Sequence, residues 1–421
     1  MKDYFLNLHL PVKKRYDIIV AGGGVAGTAA AVTAAQHGCS VLLLEKSNIL
    51  GGLGTLGLVN LFVPMCNGNG KQIIFGLAEK WLRMSAEIGY DTIPAQWKQG
   101  QPEAPTSARY VQRYSTYIFA LQLLEEAEKA GVELLYDCAA VLPVMDGNTC
   151  TGVITNSKSG LELYACGILI DTTGDADLLR RSGMPTVAGE NYYSYFGKMI
   201  TLDGIKRVSK TGDFSMLYGG KAHGGTINLY GDDQPADVPR WSGLTVEEVN
   251  DYLKRNQLEM LKNLRSYPKG SAELAQFPLM PNFRTTCRIQ GEYSLGAEDC
   301  YKHFEDSVCA INDFDHRFHL FEVPYRTLYN ARYPNMITAG RCADGHGYGW
   351  DLLRVIPPAI LTGQAAGEAA ALSLSEGKPI PDADVKKLQS ALERQNVMIH
   401  FPDEYVPDDR SVVVHGRTVC P

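Results

Sequence analysis

Two groups of residues in this sequence have the types and spacing to do chemistry. The first is Gly22-Gly23-Gly24-Val25-Ala26-Gly27, with Glu45 downstream. G-x-G-x-x-G suits a strand-to-helix turn that meets a pyrophosphate. Gly22 permits the turn, Gly24 lets the backbone approach the phosphates, and Gly27 lets the helix pack on the strand. The N–H groups of Val25 and Ala26 open the helix with partial positive charge. Glu45 accepts hydrogen bonds from a ribose diol and repels a 2′-phosphate. The pattern implies a dinucleotide and leaves NAD and FAD both open.

The second group is Asp344-Gly345-His346-Gly347-Tyr348-Gly349-Trp350. Its glycines suit a loop that passes close to a planar ligand. His346 titrates near neutral pH, as an acid or base or as an orienting group. Tyr348 offers a phenol, and Trp350 reads as packing. Arg354 lies in the apolar run LLRVIPP, where an unpaired guanidinium is costly, so it meets either a substrate oxygen or a structural carboxylate. Arg284, Arg288 and Tyr293 form a further cluster, suited to clamping a substrate carboxylate or to bridging domains. His316 and His319 have metal-ligand spacing beside Asp313 and Asp315, but no further patterned ligand, so no metal site is expected. Cys66 is a candidate to face a cofactor; it lacks a partner spaced for a dithiol.

Residues Tyr16–Ala21 read as a buried strand, Val25–His37 as an alanine-rich helix and Val41–Glu45 as a second strand, a βαβ unit. Helices are expected near Ile73–Ile88 and over Thr116–Ala130, the latter with Ser115 as N-cap and Gly131 as stop. A strand follows at Val132–Tyr136. Ala139–Ala165 reads as an antiparallel meander and Gly167–Asp171 as a separate buried strand. From Met184 to Phe321 the α/β rhythm is lost. A last strand at Asn335–Ala339, a helix over Pro358–Glu376 and a helix near Val385–Arg394 complete the pattern.

With 45% hydrophobic and 21% charged residues, the 421-residue chain has the composition of a globular enzyme. A net charge of −7 argues against nucleic acid or anionic lipid as partner. The ten cysteines form no C-x-x-C pair and no run that fits an iron–sulfur cluster. Lys13, Lys14 and Arg15 before an apolar stretch imitate a leader peptide, but three glycines interrupt the stretch. The reading is a cytoplasmic protein with free thiols and no membrane span.

The segments IDTTGDADL (Ile170–Leu178) and NMITAGRCADGHGYGWDLLRVIPPAILTGQAAGEAAA (Asn335–Ala371) resemble the signatures of flavoproteins with the glutathione-reductase-like FAD fold. More narrowly, EKSNILGGLGTLGLVN, KQIIFGL, RTTCRIQGEYSL and VPYRTL make the chain similar to the diverse FAD-dependent oxidoreductase family. The resemblance implies FAD as cofactor. It extends the contacts to Lys46, Gly52, Gly54, Thr55 and Ala140, to Thr173-Gly174-Asp175, and to Gly340-Arg341 near the pyrophosphate and ribityl chain. Arg341 stands where many related flavoproteins carry an acid. The last long helix, through Gly363 and Gln364 of LTGQAAG, is expected to aim at the flavin.

The expected fold is α/β, a Rossmann-like FAD-binding domain of parallel sheet plus small antiparallel meander with an inserted α+β cap. Expected boundaries are 1–183 and 323–380 for the FAD-binding parts, 184–322 for the cap and 381–421 for a C-terminal extension. The expected chemistry is hydride transfer between flavin N5 and a small polar or anionic substrate, through His346, Arg354, Arg288 and Tyr348. Non-redox flavoprotein chemistry and an electron-transfer subunit are the alternatives. No second G-x-G-x-x-G appears, so the electron donor or acceptor is external; a homo-oligomer is left open.

Overall fold

The computed structural model describes residues 9–218, 220–225, 231, 233–414 and 417–420. It opens with β1 (Val12–Ala21), α1 (Val25–Gln36) and β2 (Val41–Leu44), the βαβ unit read from the sequence. β1 begins earlier than expected, because its basic residues are strand residues. Lys14 and Arg15 lie in register with Tyr164 and Ala165; Lys13 pairs with Glu162 on the adjoining strand, and Lys14 with Glu133 two strands away in the other direction.

A short antiparallel pair, β3 (Leu61–Phe62) with β4 (Gln112–Arg113), brackets α2 (Gly76–Glu87). α2 starts three residues later than expected: Gly76 takes φ +61, and Ile73 and Ile74 are buried in extended chain. α3 (Thr116–Ala130) has the expected bounds and ends at Gly131 in the left-handed region, although the Ser115 side chain makes no capping bond. β5 (Glu133–Leu135) then joins the sheet.

β6 (Ala139–Asp146), β7 (Thr149–Ser157) and β8 (Gly160–Asp171) follow. The sequence splits this last stretch into a meander arm and a separate strand; the structure has one twelve-residue strand. β8 changes partner along one edge. Its first half pairs antiparallel with β7 through Gly152↔Ala165 to Ser157↔Gly160, and its end pairs parallel with β16 (Met336–Thr338). β1 runs parallel along the other edge. The sheet order is β5-β2-β1-β8-β7-β6, with β16 beside β8. Five parallel strands thus carry a two-stranded antiparallel extension, which is the α/β class expected.

After α4 (Asp177–Arg181) and β9 (Thr186–Ala188), the chain builds a second core. β10 (Phe196–Thr201) is the middle of a three-stranded antiparallel sheet, flanked by β11 (Gly220–His223) and β12 (Ala272–Gln276). α5 (Leu202–Thr211) and α6 (Val246–Leu264) belong to the same stretch. Tyr195, Met199, Trp241, Tyr252, Met260 and Phe283 are its buried centre. β13 (Cys287–Ile289) pairs with β9. The hairpin β14 (Ser307–Asn312) and β15 (Leu320–Pro324) buries Val308, Ile311, Phe321 and Val323 in the first core, so the chain has returned there before residue 322.

α7 (Tyr348–Arg354), α8 (Ile356–Glu376) and α9 (Val385–Arg394) close the chain, with a small pair β17 (Val412–Val414) and β18 (Arg417–Cys420). α8 begins two residues early, since Pro357 and Pro358 fall in the first turn, where no N–H is needed. α1 and α8 press together backbone to backbone. A Cβ on Gly363 would lie 2.2 Å from the Ala26 carbonyl oxygen, and one on Gly367 would lie 2.3 Å from that of Ala30.

Candidate active site

The glycine turn is built as its spacing demands. Gly22 (φ +102) donates its N–H to Leu44 O at 2.8 Å, and a Cβ on Gly27 would sit 1.9 Å from Gly22 O. At Gly24 the surroundings reverse: a Cβ there would meet no protein atom within 4 Å. Gly24 is the N-cap of α1 and supplies no side-chain cap, which leaves the first-turn N–H groups of Val25 and Ala26 facing that open space. Glu45 is buried and accepts the N–H of Gly23 at 2.8 Å and of Ser47 at 2.7 Å. A cradle that a Cβ would fill, beside an uncapped helix end and a carboxylate, fits a pyrophosphate and ribose.

Distant segments converge on the same point. Gly51 donates to Gly23 O at 2.8 Å, and Gly52 (φ +53) lies against the Gly24 backbone. Tyr114 Oη donates to Gly54 O at 3.0 Å, while the Thr55 hydroxyl is spent on Leu50 O at 2.6 Å. Thr172 Oγ1 donates to Gly22 O at 2.8 Å, which seats the Thr173-Gly174-Asp175 turn beside the glycines. Asp171, unremarked in the sequence reading, organises that turn. Its carboxylate accepts from the N–H groups of Thr173, Leu178 and Leu179 and from Thr173 Oγ1, and burial pushes its pKa up to about 6. Gly340 (φ +65) approaches Ala26. Arg341 is buried and fully engaged: Nε donates to Gly174 O (2.6 Å), Nη1 to Phe283 O (2.5 Å) and Nη2 to Asp175 (2.7 Å). It therefore ties the second core to the cradle. Lys46 is exposed, and Ala140 lies half-buried in β6.

Gly363 and Gln364 lie elsewhere than at the N-terminus of α8, which falls at Ile356–Pro358. Gly363 is at the crossing with α1. Gln364 faces α2, accepting Leu77 N–H at 3.0 Å and donating to Gln395 at 2.8 Å.

A cavity of about 600 Å³ abuts the cradle at Leu53 and Ile356. Leu58, Leu61 and Val63 contribute apolar wall; Tyr90, Phe196, Tyr218 and Phe283 contribute rings. Arg113, Lys198, Lys221, Arg284 and Arg354 also line it, and no lining residue among those described is a carboxylate. Arg354 finds the structural partner the sequence left open: Nε lies 2.7 Å and Nη2 2.6 Å from Asp351 Oδ1. Arg284 Nη2 lies 3.1 Å from Ser194 Oγ; its burial and the charge of Arg354 lower its pKa to about 10. Lys198 is 7% exposed, and burial, Arg113 and Lys221 lower its pKa to about 7. The sequence reading missed Lys198, Lys221 and Arg113.

Of the other expected catalytic residues, none lines this cavity. His346 is partly exposed, with Nε2 2.9 Å from Glu298 and Nδ1 3.2 Å from Ser294. Arg288 is ion-paired with buried Asp344, and Tyr348 donates to Asp313 at 2.7 Å. Tyr293 donates to Asp299 at 2.6 Å, so the Arg284–Arg288–Tyr293 cluster is divided. Cys66 is buried, accepts the Tyr110 N–H, and has its thiol pKa raised by burial. His319 sits 3.3 Å from Asp313. A grouping absent from the sequence reading, His303, Glu322 and His400, brings ligand-type atoms within 4.8 Å and closes them with its own contacts of 2.5 and 3.0 Å. None of the nine cysteines whose side chains are described is in a disulfide, and no described helix is long and apolar enough to cross a membrane.

Comparison with known proteins matches the chain to the model of the FAD dependent oxidoreductase family over residues 17–219 and 202–392. It is 27% identical over 179 residues to a digeranylgeranylglycerophospholipid reductase of Methanospirillum hungatei, a match covering 42% of each chain. A vinyl phenol reductase of Lactiplantibacillus plantarum is 70% identical over 37 residues, 9% of this chain and 8% of that one. The matches thus span less than half the length of these curated relatives. A geranylgeranyl bacteriochlorophyll reductase-like structure from Thermoplasma acidophilum aligns over 93% of this chain and 94% of its own, at 13% identity and a TM-score of 0.39.

Proposed function

The chain belongs to the FAD dependent oxidoreductase family, and from that premise we propose that it oxidises or reduces a small organic anion held in the cation-lined cavity beside the glycine cradle. The first-turn N–H groups of α1, the open face of Gly24 and the Glu45 carboxylate would hold the ADP half of FAD, and the turns at Gly52, Gly174 and Gly340, packed against protein, would frame the cradle around it. When bound, the cofactor supplies two-electron chemistry, exchanged as hydride between N5 and a substrate carbon.

The observation that carries the proposal is the imbalance of charge in the cavity. Among the described residues, five cations and no carboxylate line a pocket in a chain whose net charge is −7. One of these cations, Lys198, is buried, and like charges gathered around a buried amine are costly, so an anionic ligand would supply a favourable counter-charge. The chain's own residues then bind and orient: the cations fix the charged end, and the Leu53–Val63 wall and Phe283 exclude water from the apolar end.

The test compares turnover of an unsaturated or hydroxylated carboxylate with that of its amide under one donor or acceptor dye. The expected result is a kcat/KM at least tenfold higher for the carboxylate, the difference collapsing in R284M. Equal kcat/KM for acid and amide across a panel overturns the proposal.

A further inference from the structure

We infer that Lys198 is the residue that receives the carboxylate of the substrate, with Lys221 and Arg113 as flanking cations. This rests on the reading of the cavity as the substrate site and goes beyond it by naming the group that reads the anion.

The strand pattern puts the side chain there. Along β10 alternate residues face opposite ways: Phe196 and Lys198 line the cavity, and Met199 is fully buried in the second core. β11 pairs antiparallel with β10 in a register that sets Lys221 directly opposite Lys198. Like charges directly opposite on one face destabilise a sheet, so this pairing works against the fold. Two cationic side chains are buried among the described residues, Lys198 and Arg341. Arg341 spends its guanidinium on Asp175 and two carbonyls. The Lys198 amine has no hydrogen-bond or ion-pair partner among the described residues; it lies over the Tyr218 ring, 5.4 Å from its centre.

The surroundings of this amine are one-sided. Arg113 from β4, Lys221 from β11, Arg284 after β12 and Arg354 at the end of α7 are the cations around the cavity, and Tyr90 and Tyr218 add phenols. Asp351, the carboxylate beside Arg354, is taken by that guanidinium. Burial and the neighbouring cations lower the pKa of this amine to about 7, so that it carries only part of its charge at neutral pH and is mostly neutral at pH 8. A carboxylate that enters supplies the counter-charge, and the amine takes up a proton as it binds.

The experiment is calorimetric titration of the FAD-loaded protein with benzoate and crotonate, with benzamide and crotonamide as uncharged controls, in two buffers of different ionisation enthalpy at pH 8. The wild-type protein is expected to bind the acids with net proton uptake. K198M is expected to lose at least tenfold in acid affinity with amide binding and flavin content unchanged. K198R is expected to keep binding and lose the proton uptake, because its charge is permanent; a purely structural lysine would not produce that change. If K198M fails to retain flavin, the K198R arm decides alone. Acid binding as tight in K198M as in wild type, proton uptake that persists in K198R, or no saturable acid binding in wild type overturns the inference. V63W, which fills the cavity wall, separates the two claims. Unchanged acid binding in V63W places the anion elsewhere and removes the cavity reading as well. Binding lost in V63W but kept in K198M removes the lysine alone.

Discussion

Replacing Lys198 by Met should make the protein more stable at neutral pH, and the size of the gain follows from the structure. The pKa of this amine falls from 10.5 to about 7. At about 1.4 kcal/mol per pH unit, that displacement sets a ceiling of about 5 kcal/mol on the cost of placing the lysine where it is. Water admitted by the cavity screens part of this, and the loss of the contact with Tyr218 offsets about 0.5–1 kcal/mol more, so a gain of roughly 2–3 kcal/mol is expected. The sign follows from linkage. A lysine whose folded pKa is depressed contributes stability that is present above 10.5 and lost as pH falls through about 7. The advantage of K198M should therefore be full near pH 7 and shrink toward pH 10.5. Urea denaturation of both proteins at saturating FAD, at pH 7, 8.5 and 10, measures it. A K198M protein no more stable than wild type at pH 7, or an advantage that grows with pH, would refute the reasoning.

Gly24 and Gly27 should separate cofactor binding from folding. G24A meets no protein atom, so it should melt like the wild-type apoprotein yet lose at least tenfold in FAD affinity, whereas G27A, with Gly22 O at 1.9 Å, should lose both; equal flavin content in G24A and wild type would count against the cradle. R341M leaves Asp175 and the Gly174 and Phe283 carbonyls without their donor and should cost about 3 kcal/mol in chemical denaturation. H346Q removes a half-exposed pair with Glu298 and a contact with Ser294, both outside the cavity, and should keep turnover within about threefold; a loss of about 10²-fold or more would restore His346 as the acid or base read from the sequence.

What the sequence made legible was the part whose chemistry is local. Strand, glycines, alanine helix, strand and Glu45 follow one another in the chain, so each could be assigned a task before the fold was seen. The continuity of β8 was hidden because its edge is shared by two partners, one adjacent in sequence and one more than 160 residues away, and the change of partner looks like a break. The direction of Gln364 was hidden in the phase of α8, which begins two residues earlier than its apolar run suggested. Arg354 and Asp351 stand three apart on one helix, so their pairing was readable from spacing. Lys198 and Lys221 gave no such signal: an antiparallel register brings them together, and the intervening stretch has no periodicity to announce it. His346, flanked by glycines, drew attention through local pattern and was placed by tertiary packing outside the cavity.

The most direct test of the whole account is the visible spectrum of the purified protein during anaerobic addition of small unsaturated and hydroxylated carboxylates, first with the flavin oxidised and then after its reduction by dithionite. The expected result is a bound flavin whose band bleaches or returns with at least one carboxylate and responds far less to the matching amide. A protein that binds no flavin, or one whose flavin answers to acid and amide alike, would contradict it.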